Sequence, residues 1–521
     1  MPGTNLREFP EVNRWVIAVA VMLSTFMEVL DTTVVNVSLP HIAGNLAATV
    51  DEATWALTSY LVSNAIVLPL TGWLSNFFGR KRMLLISIAG FTVSSVFCGL
   101  APNLPFLIFF RVIQGACGGG LQPISQAILL ESFPPEERGK AMGFWGLGIV
   151  VAPLLGPVLG GWLTDNYSWR WVFYINIPIG IASIIMTKLF VFDPHYIRRR
   201  SQRVDYWGIG MLALGIASLQ IVFDKGQEKD WFGTRWITEL SVVSAIVLIT
   251  FVVYELRIKD PVVDLRVFRN LTYSTGVFLM AVLGVGLYGS LVLIPLVLQT
   301  VLAYPALQAG IAMAPRGLGS FIAMPVIGIL LAKVDARKML VIGIVICSLT
   351  LIQLSRLNLN AGFWNFFWPQ LYMGLALGML FVPLTTISMD PIPNESMGNA
   401  TSLFNLVRNL GGSIGIAAVS TIQTRREQMN INVLGAHISH SNPASALMMN
   451  SLRHYFRSQG VGPVIATHQA YAALFRMVER QASMLAYDTT FRLLGIMFLG
   501  MIPFIILMKR PAKRGGAVAV H

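Results

Sequence analysis

Apolar positions along this chain come in long unbroken runs rather than in the alternating or one-in-three patterns of half-buried strands and surface helices. A helix that crosses a bilayer needs about 20 mostly apolar residues. Fourteen runs meet that need, at 15–38, 55–77, 83–101, 105–130, 141–163, 171–192, 207–223, 238–256, 272–298, 308–332, 339–355, 364–389, 399–422 and 489–508. Most of the intervening loops are short. The pattern predicts an all-α integral membrane protein with 14 transmembrane helices. An even number of spans puts both termini on the same side.

Composition agrees. Of the 521 residues, 55% are apolar and 12% charged, where soluble domains carry about 25% charged residues. The net charge of +13 points to basic loops beside anionic lipid rather than to nucleic acid. With the N-terminus inside, the inner segments hold 22 Lys and Arg and the short outer loops hold 5. Segment 423–488 adds six on the outside, but long loops weigh little in this rule. Both termini are therefore expected in the cytoplasm. The first run is too long for a cleavable signal and lacks a small-residue cleavage site, so it reads as a retained span. Cys98, Cys117 and Cys347 all lie in apolar runs and read as small buried hydrophobes without disulfide or metal.

An internal repeat follows. "GWLSNFFGRKR" (72–82) matches "GILLAKVDARK" (328–338), "RVIQGACGG" (111–119) matches "QLYMGLALG" (370–378), and Gly156 falls on Gly415. The offsets are 256 and 259. We expect two related halves of six helices, 1–192 and 271–521, with 193–270 as an inserted helix pair. Parallel halves of this kind are the plan of many secondary transporters. Segment 423–488 is expected to form a helical hairpin standing off the outer face, with one helix running from Pro463 into the last span; a loop lying on the surface is the alternative.

Chemistry concentrates in a few embedded charges. Glu28 and Asp31 interrupt the first run three residues apart, which places both on one helix face. A charge at the bilayer centre costs about 2.5–3.5 kcal/mol on insertion scales. That face, bordered by Thr32 with Asn36 further along, is expected to look into a water-accessible cavity and to carry protons. A permanently paired acid that ties helices together is the bland alternative. Arg111, in the fourth run, is the natural partner. Arg316 and Arg408 sit beside glycines and are expected to contact polar partners in the bundle; Lys188 is expected to snorkel. Gly156, Pro157, Gly160 and Gly161 in "VVAPLLGPVLGG" mark a bend or close helix crossing. No GxxxxGK[ST] or HExxH motif occurs, and the one GxSxG match, "GGSIG" (411–415), lies within an apolar run rather than on a strand-to-helix turn, which disfavours an ATP-driven pump or an enzyme. His437 and His440 could touch one metal, but a solvated loop is the commoner reading, so no metal and no cofactor is expected.

"LDTTVVNVSLP" (30–40), "GWLSNFFGRKR" (72–82), "RVIQG" (111–115), "APLLGPVLGGW" (152–162) and "WRWVFYINIPIG" (169–180) together resemble the motif series of the major facilitator superfamily. The resemblance covers nearly the whole chain and is to the fourteen-span drug:proton antiporter branch of the EmrB/QacA type. It implies proton-driven export of lipophilic or amphipathic compounds by alternating access across the inner membrane. It assigns Asp31 as the first-span acid, Arg111 as an aid to proton transfer, Gly156, Pro157 and Gly161 to the antiporter motif, and Gly72, Gly79, Arg80 and Lys81 to a cytoplasmic gating loop. Asn76 and Phe77 depart from the Asp and Arg usual in that loop, which leaves the gate's charge relay to other residues. EmrB-type exporters work with a periplasmic membrane fusion protein of EmrA type and an outer-membrane channel, and 423–488 is the expected docking surface. The rival cargo is a dedicated one, such as a fatty acid, siderophore or endogenous metabolite; an anion would suit the embedded Arg residues better than a cation. A non-transporting sensor or channel is the rival from another class.

Overall fold

A computed structural model describes residues 13–193, 204–259, 261–438 and 442–508. The basic residues at 198–203, the C-terminal Lys and Arg, and His440 lie outside the described residues. Among these residues the regular structure is helical throughout. Thirteen described helices are long and apolar enough to cross a membrane. They are α1 (Arg14–Asn45), α2 (Asp51–Phe78), α3 (Arg80–Gly99), α4 (Leu104–Ser132), α5 (Arg138–Asn166), α6 (Trp171–Phe190) and α7 (Tyr206–Lys225). After these come α8 (Arg235–Arg257), α9 (Leu271–Val301), α10 (Gln308–Leu330), α11 (Ala336–Leu354) and α12 (Phe363–Met389).

The fourteenth is α13 (Met397–Ala436), a 40-residue helix. Its inner part carries Asn405, Arg408 and Asn409, which dilute its apolar character, yet it packs among α2, α9 and the last span. After it come α14 (Pro443–Ser458) and α15 (Pro463–Ile505), the last of the thirteen. No Pro or Gly interrupts the chain from 464 to 494, so α15 runs unbroken into the membrane. The outer turns of α13 lie against α15, where Asn430 Nδ2 donates to the Ala482 carbonyl at 3.2 Å and Ser483 bonds Glu427. α14 packs on α15.

Local chemistry sets the helix ends. Asn103 accepts from the Phe106 N–H at 2.9 Å and Pro105 follows it, which starts α4. Asp205 caps α7, Asn270 caps α9 and Asp335 caps α11 in the same way. Gly79 separates α2 from α3 at φ +90°, a conformation that glycine alone adopts freely. Inside a bilayer close packing relies on small residues. Glycines accordingly mark the tightest crossings: α2 meets α13 where Gly72 faces the Asn399 backbone, and α5 meets α10 where Gly139 faces the Gly328 carbonyl. Both crossings lie at the end of the molecule that carries the basic loops. α7 is tied to α2 and α13 by polar contacts at the opposite end, Lys225 Nζ to Thr54 Oγ1 at 2.6 Å and Gln220 Nε2 to Ser413 Oγ at 2.9 Å.

Candidate functional site

Asp31 and Arg111 are both fully buried. Arg111 Nη1 donates to Asp31 Oδ2 at 2.6 Å. The other carboxylate oxygen, Oδ1, accepts from Asn176 Nδ2 at 2.7 Å and from Gln114 Nε2 at 3.0 Å. Three helices thus converge on one carboxylate: α4 supplies Arg111 and Gln114, α6 supplies Asn176, and α1 carries the acid itself. Arg111 is fixed in turn. Its Nε donates to the Ala56 carbonyl at 2.9 Å and its guanidinium lies 4.2 Å from the Tyr60 ring centroid. Nη2 is buried without a hydrogen-bond partner among the described residues. Charge-assisted bonds of this kind are about twice as strong as neutral ones, so the pair is rigid in this state. The face does not open on water here, because Asp31 has no exposed surface.

Glu28, one turn before Asp31, is 5% exposed and belongs to a second cluster. Asn64 Nδ2 of α2 donates to its Oε1 at 3.0 Å, the Gln122 side chain of α4 also acts on the carboxyl, and Oε2 has no hydrogen-bond partner of regular geometry among the described residues. Arg408 of α13 lies within electrostatic range. Arg408 Nη2 bonds Gln122 Oε1 of α4 and Asn409 Oδ1 at 3.2 Å. Beside it Asn405 Nδ2 donates to Gln126 Oε1 at 2.5 Å. The face that holds both acids therefore looks at two different neighbours. Asp31 looks at α4 and α6, and Glu28 looks at α2 and toward α13.

The loop at 79–82 forms a third charged group. Arg80 is buried and ion-paired with Glu131 at the end of α4, and its Nη2 reaches the Asn394 carbonyl at 3.4 Å. Asp193 accepts from the Lys81 N–H at 2.7 Å, and Lys81 Nζ donates to the Lys188 carbonyl at 2.7 Å. Lys188 itself is exposed in the last turn of α6. Gly72 leaves no room for a side chain, since a Cβ there would stand 2.7 Å from Asn399 Cα.

The glycines of α5 divide. Gly156 is pressed against Thr33 of α1, and a Cβ on Gly160 would stand 2.9 Å from the Val34 carbonyl. Gly161 faces nothing within 4 Å. Pro153 and Pro157 lie inside the helix. Asn36 is exposed near the far end of α1 and joins neither acid cluster. Arg316 of α10 is buried and donates to Ser290 Oγ at 3.2 Å, away from both acids.

The partners Gln114, Asn176, Asn64, Gln122 and Glu131 were not singled out by sequence. Gln114 had a usable signal, being one turn from Arg111 on the same face. Asn176, a lone amide within "FYINIPIG", had another. Among the described residues no group of three or more His, Cys, Asp or Glu stands close enough to hold a metal. Two surface recesses, one lined by Asp51, Trp55 and Lys225 and one by Leu349 and Arg356, contain none of these residues.

A bundle of membrane-crossing helices with buried ion pairs and interlocking glycines is the build of a membrane transporter. The chain belongs to the Major Facilitator Superfamily, whose sequence profile matches residues 21–416. It is 38% identical over 513 residues to the multidrug export protein EmrB of Haemophilus influenzae, across 98% of this chain and 99% of that protein. It is 37% identical over 499 residues to the fatty acid resistance protein FarB of Neisseria gonorrhoeae, across 95% of this chain and 96% of that one. The solved structure of the proton:xylose symporter XylE shares the fold, with a TM-score of 0.56 at 17% identity, covering 94% of this chain and 96% of that one. The protein is a multi-pass membrane transporter.

Proposed function

We propose that this chain is a proton-coupled exporter of lipophilic and amphipathic compounds, lodged in the inner membrane with both termini in the cytoplasm and working by alternating access. The observation that carries the reading is the buried Asp31–Arg111 pair. A carboxylate with no other charge partner in contact has a clear set of two states. Ionised, it is bound to Arg111; protonated, it releases Arg111, which keeps the Ala56 carbonyl and Gln114 Oε1 as acceptors. Exchange between these states changes how α1 and α4 are held together, and that couples a proton to helix movement. Glu28, with no ion pair among the described residues, is the second acid on the path and stands next to the α2–α13 contact.

The repeat supports two six-helix units, 1–192 and 271–521, rocking about a midplane site, with α7 and α8 as an inserted pair. Arg80–Glu131 then acts as the inner gate, in place of the Asp and Arg that "SNFFGRKR" lacks. The likeness to EmrB supports multidrug cargo and a tripartite pump, with α14 and the outer turns of α13 and α15 as the docking surface for a periplasmic adaptor that leads to an outer-membrane channel. The likeness to FarB and the embedded arginines favour a second reading, a dedicated exporter of amphipathic acids.

The test is substrate-induced proton release from purified protein, paired with antiport in inverted vesicles, across a panel of lipophilic compounds. Wild type is expected to release protons on substrate binding and Asp31→Asn to release none. Full coupling in Asp31→Asn would overturn Asp31 as the carrier and move the role to Glu28.

A further inference from the structure

Arg316 is a buried cation without an acid. It is 3% exposed, its Nη2 donates only to Ser290 Oγ, and its Nη1 has no partner among the described residues. Among the described residues the one ionisable side chain acting on it is the thiol of Cys347. Gln370 of α12 lies close by. α10 and α12 cross where Gly374 is pressed against the Arg316 backbone, and Gln370 is one turn away on that face. Gln370 is fully buried, and neither its amide nitrogen nor its oxygen has a hydrogen-bond partner among the described residues.

The internal repeat sharpens the point. At the offset of 259 that relates Gly115 to Gly374, Arg111 corresponds to Gln370, and at the offset of 256 that relates Gly72 to Gly328, Tyr60 corresponds to Arg316. Gly115 is pressed against the Tyr60 backbone as Gly374 is against that of Arg316. The first repeat sets the Arg111 guanidinium over the Tyr60 ring and pairs it with the Asp31 carboxylate. The second exchanges the two positions, with the cation at 316 and an amide at 370, and among the described residues no acid acts on that cation. An uncompensated buried charge is strongly disfavoured, and buried amide groups are almost always bonded. Ser290 Oγ accepts from Arg316 and donates its own proton to the Leu287 carbonyl at 3.0 Å, which leaves Arg316 Nη1 and Gln370 Nε2 as the free donors, a pair that suits a small anionic acceptor.

We propose that Arg316, held by Ser290, and Gln370 form a binding site for a single monovalent anionic group, filled either by the carboxylate of an amphipathic acid or by a free inorganic anion. The cargo source rests on the export reading above; the binding does not. Proton release at Asp31 is measured separately, so failure of one leaves the other standing.

The full-length protein in detergent is titrated calorimetrically with sodium decanoate, decanol and sodium chloride. Wild type is expected to bind decanoate saturably and decanol without saturation. Arg316→Met is expected to weaken decanoate by about tenfold or more, the scale of a lost charge-assisted bond, while unfolding at the same or a higher temperature in the absence of ligand. Saturable chloride binding without decanoate binding, lost in Arg316→Met, supports the site and assigns the inorganic source. Unchanged affinity for both anions in Arg316→Met overturns the proposal. Gln370→Leu serves if Arg316→Met does not fold, with severalfold weaker binding expected and unchanged affinity overturning it.

Discussion

The two acids of α1 differ in what they would lose on neutralisation. Asp31 has every oxygen engaged and a guanidinium facing it; Glu28 has the amides of Asn64 and Gln122 beside it and, among the described residues, no ion pair. Asp31→Asn leaves Arg111 charged in a dry site, a change that costs about 3–5 kcal/mol. We expect a marked drop in unfolding temperature for Asp31→Asn and recovery of most of it in Asp31→Asn/Arg111→Gln, with coupling absent from both. Glu28→Gln should stay within about 1 kcal/mol of wild type, since its oxygen still accepts from Asn64 and its new donor faces no lost bond. Thermal unfolding of the four proteins decides; equal stability of Asp31→Asn and wild type would mean that the pair is not ionised at rest. The acids and Arg111 were legible in sequence because a charge stands out in an apolar run. Gln114 and Asn176 were not, because an uncharged amide in a span carries little signal by itself. Glu131 escaped because acids are ordinary at a span end, and its pairing with Arg80 joins helices that the sequence does not place side by side.

Helices impose a second kind of constraint, set by how closely two backbones approach. The motif glycines of α5 look equivalent in sequence and are not equivalent in the fold. Gly156 is locked against Thr33, whereas Gly161 faces open space. Gly156→Ala must push α5 from α1, an overpacking cost of about 1–3 kcal/mol. Gly161→Ala meets nothing and gains helix propensity of up to about 1 kcal/mol. The expected order of unfolding temperatures is Gly161→Ala at or above wild type and Gly156→Ala clearly below it. A reversed order would mean that the α1–α5 crossing is looser than described. Sequence periodicity located these spans well, including α13, whose polar residues make it the least apolar of the fourteen. It placed the outer end of that apolar run near 422 and expected the helix to extend outward past Arg425 and Arg426; the helix continues to Ala436, because helix propensity persists where the apolar run stops.

Across the whole molecule, polar contacts between helices before residue 193 and helices after residue 270 gather at the end with the basic loops. Thr71 and Ser402 hydroxyls stand 2.6 Å apart, Thr401 Oγ1 donates to the Pro123 carbonyl at 3.1 Å, and Gly139 and Gly328 interlock nearby. This end is shut, and Arg80 with Glu131 sits directly at the seam. An exporter that alternates must part these surfaces to admit cargo from that side, which breaks these polar contacts and opens the apolar packing beside them, where Trp145 of α5 stacks on Phe381 of α12. Thr71→Cys/Ser402→Cys places two sulfurs within disulfide reach across the seam. Oxidation of that double variant is expected to abolish antiport in inverted vesicles, and reduction with dithiothreitol to restore it, while each single variant keeps transport through both treatments. Undiminished antiport in fully cross-linked protein would show that this seam stays closed throughout the cycle. The conformational switch, and with it the gating role of Arg80, would then lie elsewhere.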